Sequence, residues 1–81
     1  MAVQIRVFGP GCINCQRLAE NARRAVEESG ADATVEEVHD MRELMAHGVL
    51  TTPALMIDGE LVMAGRVATV PQIQELLTAH A

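Results

Sequence analysis

The sequence has no tryptophan and no tyrosine, and Phe8 is its single aromatic residue apart from histidine. Lysine is missing as well: all six cations are arginines, set against eleven acidic side chains for a formal net charge of −5. Nucleic-acid binding draws on a basic stripe and usually on aromatic platforms for stacked bases, so these shortages argue against that class of partner. Long apolar runs are also absent, the longest falling far short of the ~20 residues that a membrane span requires. The N-terminus runs directly into a strand pattern, with no basic leader segment and no cleavage site of the secretory kind. A cytoplasmic protein without membrane contact is therefore expected, in a compartment where a lasting structural disulfide is unusual.

At 81 residues, 49% of them hydrophobic, the chain is read as one domain spanning 1–81, near the lower limit for a self-sufficient core. Its segments are too well patterned for disorder. With aromatics nearly absent, the core has to come from Val, Ile, Leu, Ala and five Met, and the methionines read as flexible core filling.

The most informative stretch is Gly9-Pro10-Gly11-Cys12-Ile13-Asn14-Cys15. An apolar run from Ala2 to Phe8, with Val3, Ile5 and Val7 on one face, predicts a strand before it, and a helical pattern to Ser29 follows it. Gly9, Pro10 and Gly11 break the strand, which places Cys12 at the mouth of the helix and Cys15 about one turn inside. Amides at a helix start lack intrahelical partners and the macrodipole is positive there, so a thiolate at Cys12 is favoured. A free cysteine titrates near ~8.5 and is roughly 3% ionised at pH 7, whereas a value near ~7 would raise that to about half. Cys15, one turn on, could then displace a product held on Cys12 as a mixed disulfide.

Along the first helix, Cys15, Leu18, Ala19, Ala22, Ala25 and Val26 recur at the spacing of a buried stripe, opposite Arg17, Glu20, Arg23, Arg24, Glu27 and Glu28. Those charges read as a solvated face, with Glu20–Arg24 and Arg24–Glu28 as i,i+4 pairs. Gly30 sits where a helix commonly ends in a left-handed residue. Residues 33–38 predict a weaker, edge-like strand, parallel to the first through a right-handed crossover. Asp40 with Glu43 has the spacing of a capping box opening a short helix, from which Leu44 and Met45 would face inward and which Gly48 would end. His39 and His47 flank that helix and are expected to be solvated or capping rather than to serve Cys12.

Thr51-Thr52-Pro53 leads into a strand, Ala54 to Ile57. Asp58-Gly59 signals a tight hairpin returning through Glu60 to Ala64. The sequence itself leaves the isomer of the Thr52–Pro53 bond open. A second capping box, Thr69 with Gln72, opens a last helix with Ile73, Leu76 and Leu77 inward.

Three other readings of the cysteine pair stay open. A structural zinc site wants four ligands, and the remaining histidines, His39, His47 and His80, are scattered; a soft metal or metalloid could still bind the dithiol. A structural disulfide would close a very small loop and stabilise little. A redox-inert interaction module is the third.

Gly9-Pro10-Gly11-Cys12-Ile13-Asn14-Cys15, Thr51-Thr52-Pro53 and Asp58-Gly59, in this order, resemble the thioredoxin/glutaredoxin superfamily, and within it the small redox-active disulfide proteins of glutaredoxin size. The resemblance spans nearly the whole chain, with Gly11 in place of the usual tryptophan and Ile13-Asn14 in place of Gly-Pro or Pro-Tyr. It implies an α/β fold of order β-α-β-α-β-β-α, with a four-stranded mixed sheet in order 2-1-3-4 flanked by three helices. It implies that Pro53 follows a cis bond beside the cysteines. Cys12 would be the attacking thiol and Cys15 the resolver of a thiol–disulfide oxidoreductase. Thr52, Pro53 and Gly65 would shape a substrate groove, joined by Gly11, Ile13 and Asn14 around the motif. The expected partners are a disulfide-containing client protein and an upstream reductase or low-molecular-weight thiol, with the protein itself a monomer. No metal or organic cofactor is required.

Overall fold

Val3, Ile5 and Val7 on one face and Phe8 on the other allow β1 (Val3–Phe8) to be covered on both sides, and it lies inside a four-stranded sheet of order β2-β1-β3-β4. The computed structural model describes residues 2–80; Met1, Ala81 and the side chain of His80 lie outside the described residues. β2 (Ala33–Val38) runs parallel to β1, from Val3 opposite Ala33 to Phe8 opposite Val38. On the other side β3 (Ala54–Ile57) is antiparallel to β1, and β4 (Glu60–Ala64) is antiparallel to β3. Asp58 and Gly59 both take positive φ, 50° and 84°, in the tight turn between them. The mixed sheet and the edge position of β2 agree with the sequence reading.

The crossover from β1 to β2 is α1 (Ile13–Ser29), whose buried residues Cys15, Leu18, Ala19, Ala22 and Ala25 form the stripe expected for it. Its end is set by Gly30, at φ 68°, whose N–H returns to Val26 O at 3.0 Å; a Cβ would strain that left-handed conformation. On the charged face Arg24 pairs with Glu28 at 3.2 Å and Arg23 crosses to Glu37 on β2 at 2.7 Å. α3 (Val70–His80) begins with the full capping box: the Thr69 N–H donates to Gln72 Oε1 at 3.0 Å and the Gln72 N–H to Thr69 Oγ1 at 3.3 Å. The loop ahead of α3 is tied to α1 where Asn21 donates to Ala68 O at 2.9 Å.

The side chains of β3 alternate between two cores. Leu55 and Ile57 join Ile5 and Val7 under α1 and α3, with Leu18, Ile73 and Leu77. Ala54 and Met56 face the other way, with Phe8, Leu44 and Val49. This thinner core is covered by α2 (Met41–Ala46), capped where Asp40 Oδ1 accepts the Arg42 N–H at 2.8 Å. Two expectations fail here. Met45 does not face inward but is 76% exposed, because a helix of six residues offers the sheet one contact position and Leu44 takes it. Glu43 does not complete a capping box; its carboxylate faces His47 Nε2 at 3.7 Å.

Candidate redox site

The two cysteines are the N-cap and third residue of α1, and that placement sets their properties. Cys12 has extended backbone (φ −68°, ψ 169°), and its sulfur accepts the Cys15 N–H at 3.3 Å while its carbonyl accepts the Gln16 N–H at 2.9 Å. No acidic residue lies in the first turn to offset the positive end of the helix. The two sulfurs are 2.7 Å apart. Cys12 is exposed, whereas Cys15 is packed against Gly9 and is 2% exposed.

The thiols are driven in opposite directions. The hydrogen bond from the Cys15 thiol, then that from the Cys15 amide, hold the Cys12 pKa below its ordinary value. Burial first, then the bond it makes to Cys12, pushes the Cys15 pKa up. When the pair holds a single proton, these opposite directions favour it on Cys15, with Cys12 as the acceptor of the bond between the sulfurs. An exposed thiol of lowered pKa and a buried one of raised pKa thus lie within reach of each other.

The loop before Cys12 is built around the Cys15 sulfur. A side chain at Gly9 would overlap Cys15 Sγ and lie 3.8 Å from Thr52 Cβ, so only glycine fits between them. Gly11 takes φ 92°, and its carbonyl accepts Gln16 Nε2–H at 3.0 Å. The Thr52–Pro53 bond is cis, with Pro53 buried and Thr52 exposed. The Pro53 carbonyl accepts the Gly65 N–H at 2.8 Å, and Gly65 lies against Thr51. The structure thus gathers Gly11, Cys12, Cys15, Thr52 and Pro53, with Gly65 attached through Pro53. Ile13 and Asn14 open α1 on its outside, Ile13 66% exposed, and Leu50 ahead of the Thr51–Thr52 segment is 94% exposed.

Sequence reasoning missed His39, whose Nδ1 reaches the Gly9 carbonyl across a separation of 30 residues at 2.8 Å. His47 ends α2 and packs against Phe8, the ring centroids 5.4 Å apart and the planes tilted by 55°. Phe8 belongs to the thinner core. Among the described residues, no three His, Cys, Asp or Glu side chains are placed together to hold a metal ion. No helix among them is long and apolar enough to cross a membrane.

Residues 3–78 match the family model of the thioredoxin domain. A thioredoxin from Methanothermobacter thermautotrophicus is 42% identical over 76 residues, which cover 94% of this chain and 99% of that protein. Among solved structures, the J-Trx1 fragment of ERdj5 shares the fold, with a TM-score of 0.66 at 21% identity over 98% of this chain and 43% of that one. A dimeric thioredoxin-like protein from Nitrosomonas europea aligns with a TM-score of 0.62 at 28% identity, over 91% of this chain and 98% of its own.

Proposed function

The chain belongs to the thioredoxin domain family, and from that premise we propose that Cys12 and Cys15 are the working dithiol with which it reduces client disulfides. The family makes it a thiol–disulfide oxidoreductase in general terms; the proposal concerns which atoms act and in what order. The Cys12 thiolate attacks one sulfur of a client disulfide, a Cys12–client S–S bond forms, and the client's other sulfur leaves as a thiolate that takes up a proton. Cys15 then gives up its proton and attacks Cys12 Sγ. The Cys12–Cys15 disulfide forms, the client leaves with both sulfurs reduced, and two electrons have passed to it. An upstream reductase or a low-molecular-weight thiol returns the two electrons.

The observation that carries this reading is the 2.7 Å sulfur pair with one member exposed and favoured as thiolate, the other buried and favoured as thiol. Thr52, beside Gly9 and ahead of the cis bond, offers its exposed main chain to an extended client segment, with Pro53 and Gly65 behind it and Gly11, Ile13 and Asn14 along the motif. Both sulfurs and this groove come from one chain, so the proposed working unit is a monomer. A reducing cytoplasm is the compartment that would keep the pair ready.

Trapping tests it. Cys15→Ser should accumulate a stable covalent adduct between Cys12 and a disulfide substrate, visible by mass spectrometry without reductant, and should lose multiple turnover. Full dithiol-driven turnover in that variant would refute the resolving role.

A further inference from the structure

The imidazole of His39 meets the loop that carries the dithiol, and its partners specify how. Nδ1 lies 2.8 Å from the Gly9 carbonyl oxygen; a carbonyl only accepts, so this nitrogen carries the hydrogen. The other ring nitrogen, Nε2, is 3.6 Å from Glu37 Oε1, and Glu37 is held from α1 by Arg23 at 2.7 Å. Gly9 also donates its own N–H to Val38 O at 3.0 Å. Consecutive residues at the end of β2 therefore grip both polar groups of Gly9, Val38 through its main chain and His39 through its side chain. The β1–β2 ladder stops at Phe8 and Val38, after which the chain turns away so that Asp40 can cap α2. The imidazole supplies a donor where a continued ladder would have offered a main-chain amide.

The grip matters because of what Gly9 touches. Its α-carbon forms the wall behind Cys15, so close that a methyl group there would overlap Sγ and come within 3.1 Å of Cβ. Cys12 Sγ lies 2.7 Å from that same sulfur. Building on the dithiol reading above, we propose that His39 is a positioning residue for the exchange: by holding the Gly9 carbonyl it fixes the backbone that seats the Cys15 sulfur behind Cys12. Without the donor the wall can withdraw, Cys15 Sγ loses its line onto Cys12 Sγ, and closure of the Cys12–Cys15 disulfide slows. Only the Nδ1–H is needed, so asparagine, whose Nδ2 falls near the same place, should substitute.

The experiment compares the full-length protein with His39→Leu, His39→Ala and His39→Asn. Two quantities are read: the dithiol–disulfide equilibrium in glutathione buffers, and the rate at which Cys15 resolves a mixed disulfide preformed at Cys12. Circular-dichroism melts report folding, and the bulk-preserving leucine variant serves if the alanine variant unfolds. Loss of one hydrogen bond should shift the equilibrium constant and the resolution rate by about threefold to tenfold in the leucine and alanine variants; a tenfold change corresponds to ~30 mV for this couple. His39→Asn should stay within about twofold of the parent protein, a rescue expected from the single shared donor. Leucine and alanine variants that match the parent, or an asparagine variant as impaired as they are, would overturn the proposal while leaving the dithiol reading intact. A parent protein that forms no reversible Cys12–Cys15 disulfide would overturn the dithiol reading, and this one with it.

Discussion

Cys12 and Cys15 carry the same functional group and belong to the same helical turn, yet one faces solvent as the helix cap and the other is sealed against Gly9. The exposed sulfur accepts the Cys15 amide at 3.3 Å and lies 2.7 Å from the Cys15 thiol, and both contacts lower its pKa. Burial first, then the bond to Cys12, raises the pKa of the buried one, because a thiolate there would be desolvated. The same side chain thus meets two environments within one turn, and on the proposed reading this contrast makes Cys12 the attacking thiol and Cys15 the waiting one.

Removing the exposed member should break the contrast outright. Cys12→Ser leaves a weak nucleophile at the cap and should lower disulfide reduction by about three orders of magnitude or more in an insulin-type turbidity assay, with folding retained. Disturbing the buried member should blur it. Gly9→Ala drives a methyl group into the space of Cys15 Sγ, and overpacking of that kind costs about 1–3 kcal/mol, to be read by chemical denaturation. The same variant should bring the reactivity of Cys15 closer to that of Cys12, because the sulfur is forced out of its pocket. A change remote from both sulfurs should leave the contrast untouched. Thr69→Ala removes one half of the capping box of α3 and should cost about 1 kcal/mol of stability, with the alkylation rates of both cysteines unaltered.

Much of this was legible from local signals. The reciprocal Thr69–Gln72 bonds, the left-handed Gly30, the Asp58–Gly59 turn and the capping Cys12 all follow from spacing a few residues long, where backbone chemistry leaves little choice. The sheet order and the cis bond before Pro53 came from family resemblance, since propensity carries no information about either. What escaped depends on contacts across the fold. His39 has no sequence mark that ties it to Gly9, because the bond exists only once β2 lies beside β1. Met45 was misassigned because α2 is less than two turns long, too short for periodicity to separate its faces, and adjacent Leu44 satisfies the sheet. Arg24 pairs with Glu28, while its neighbour Arg23 reaches across to Glu37 on β2, a choice set by the sheet and not by helical spacing.

The most direct measurement is the rate of alkylation of each cysteine as a function of pH, resolved by mass spectrometry of the two labelled positions. Only the thiolate reacts, so a lowered pKa moves the rise in rate to lower pH and a raised one moves it higher. The midpoint of the Cys12 profile should fall below that of an ordinary cysteine, near ~8.5, and the midpoint for Cys15 above it. Coincident profiles, or a Cys15 that reacts first, would contradict the division of labour between the two sulfurs.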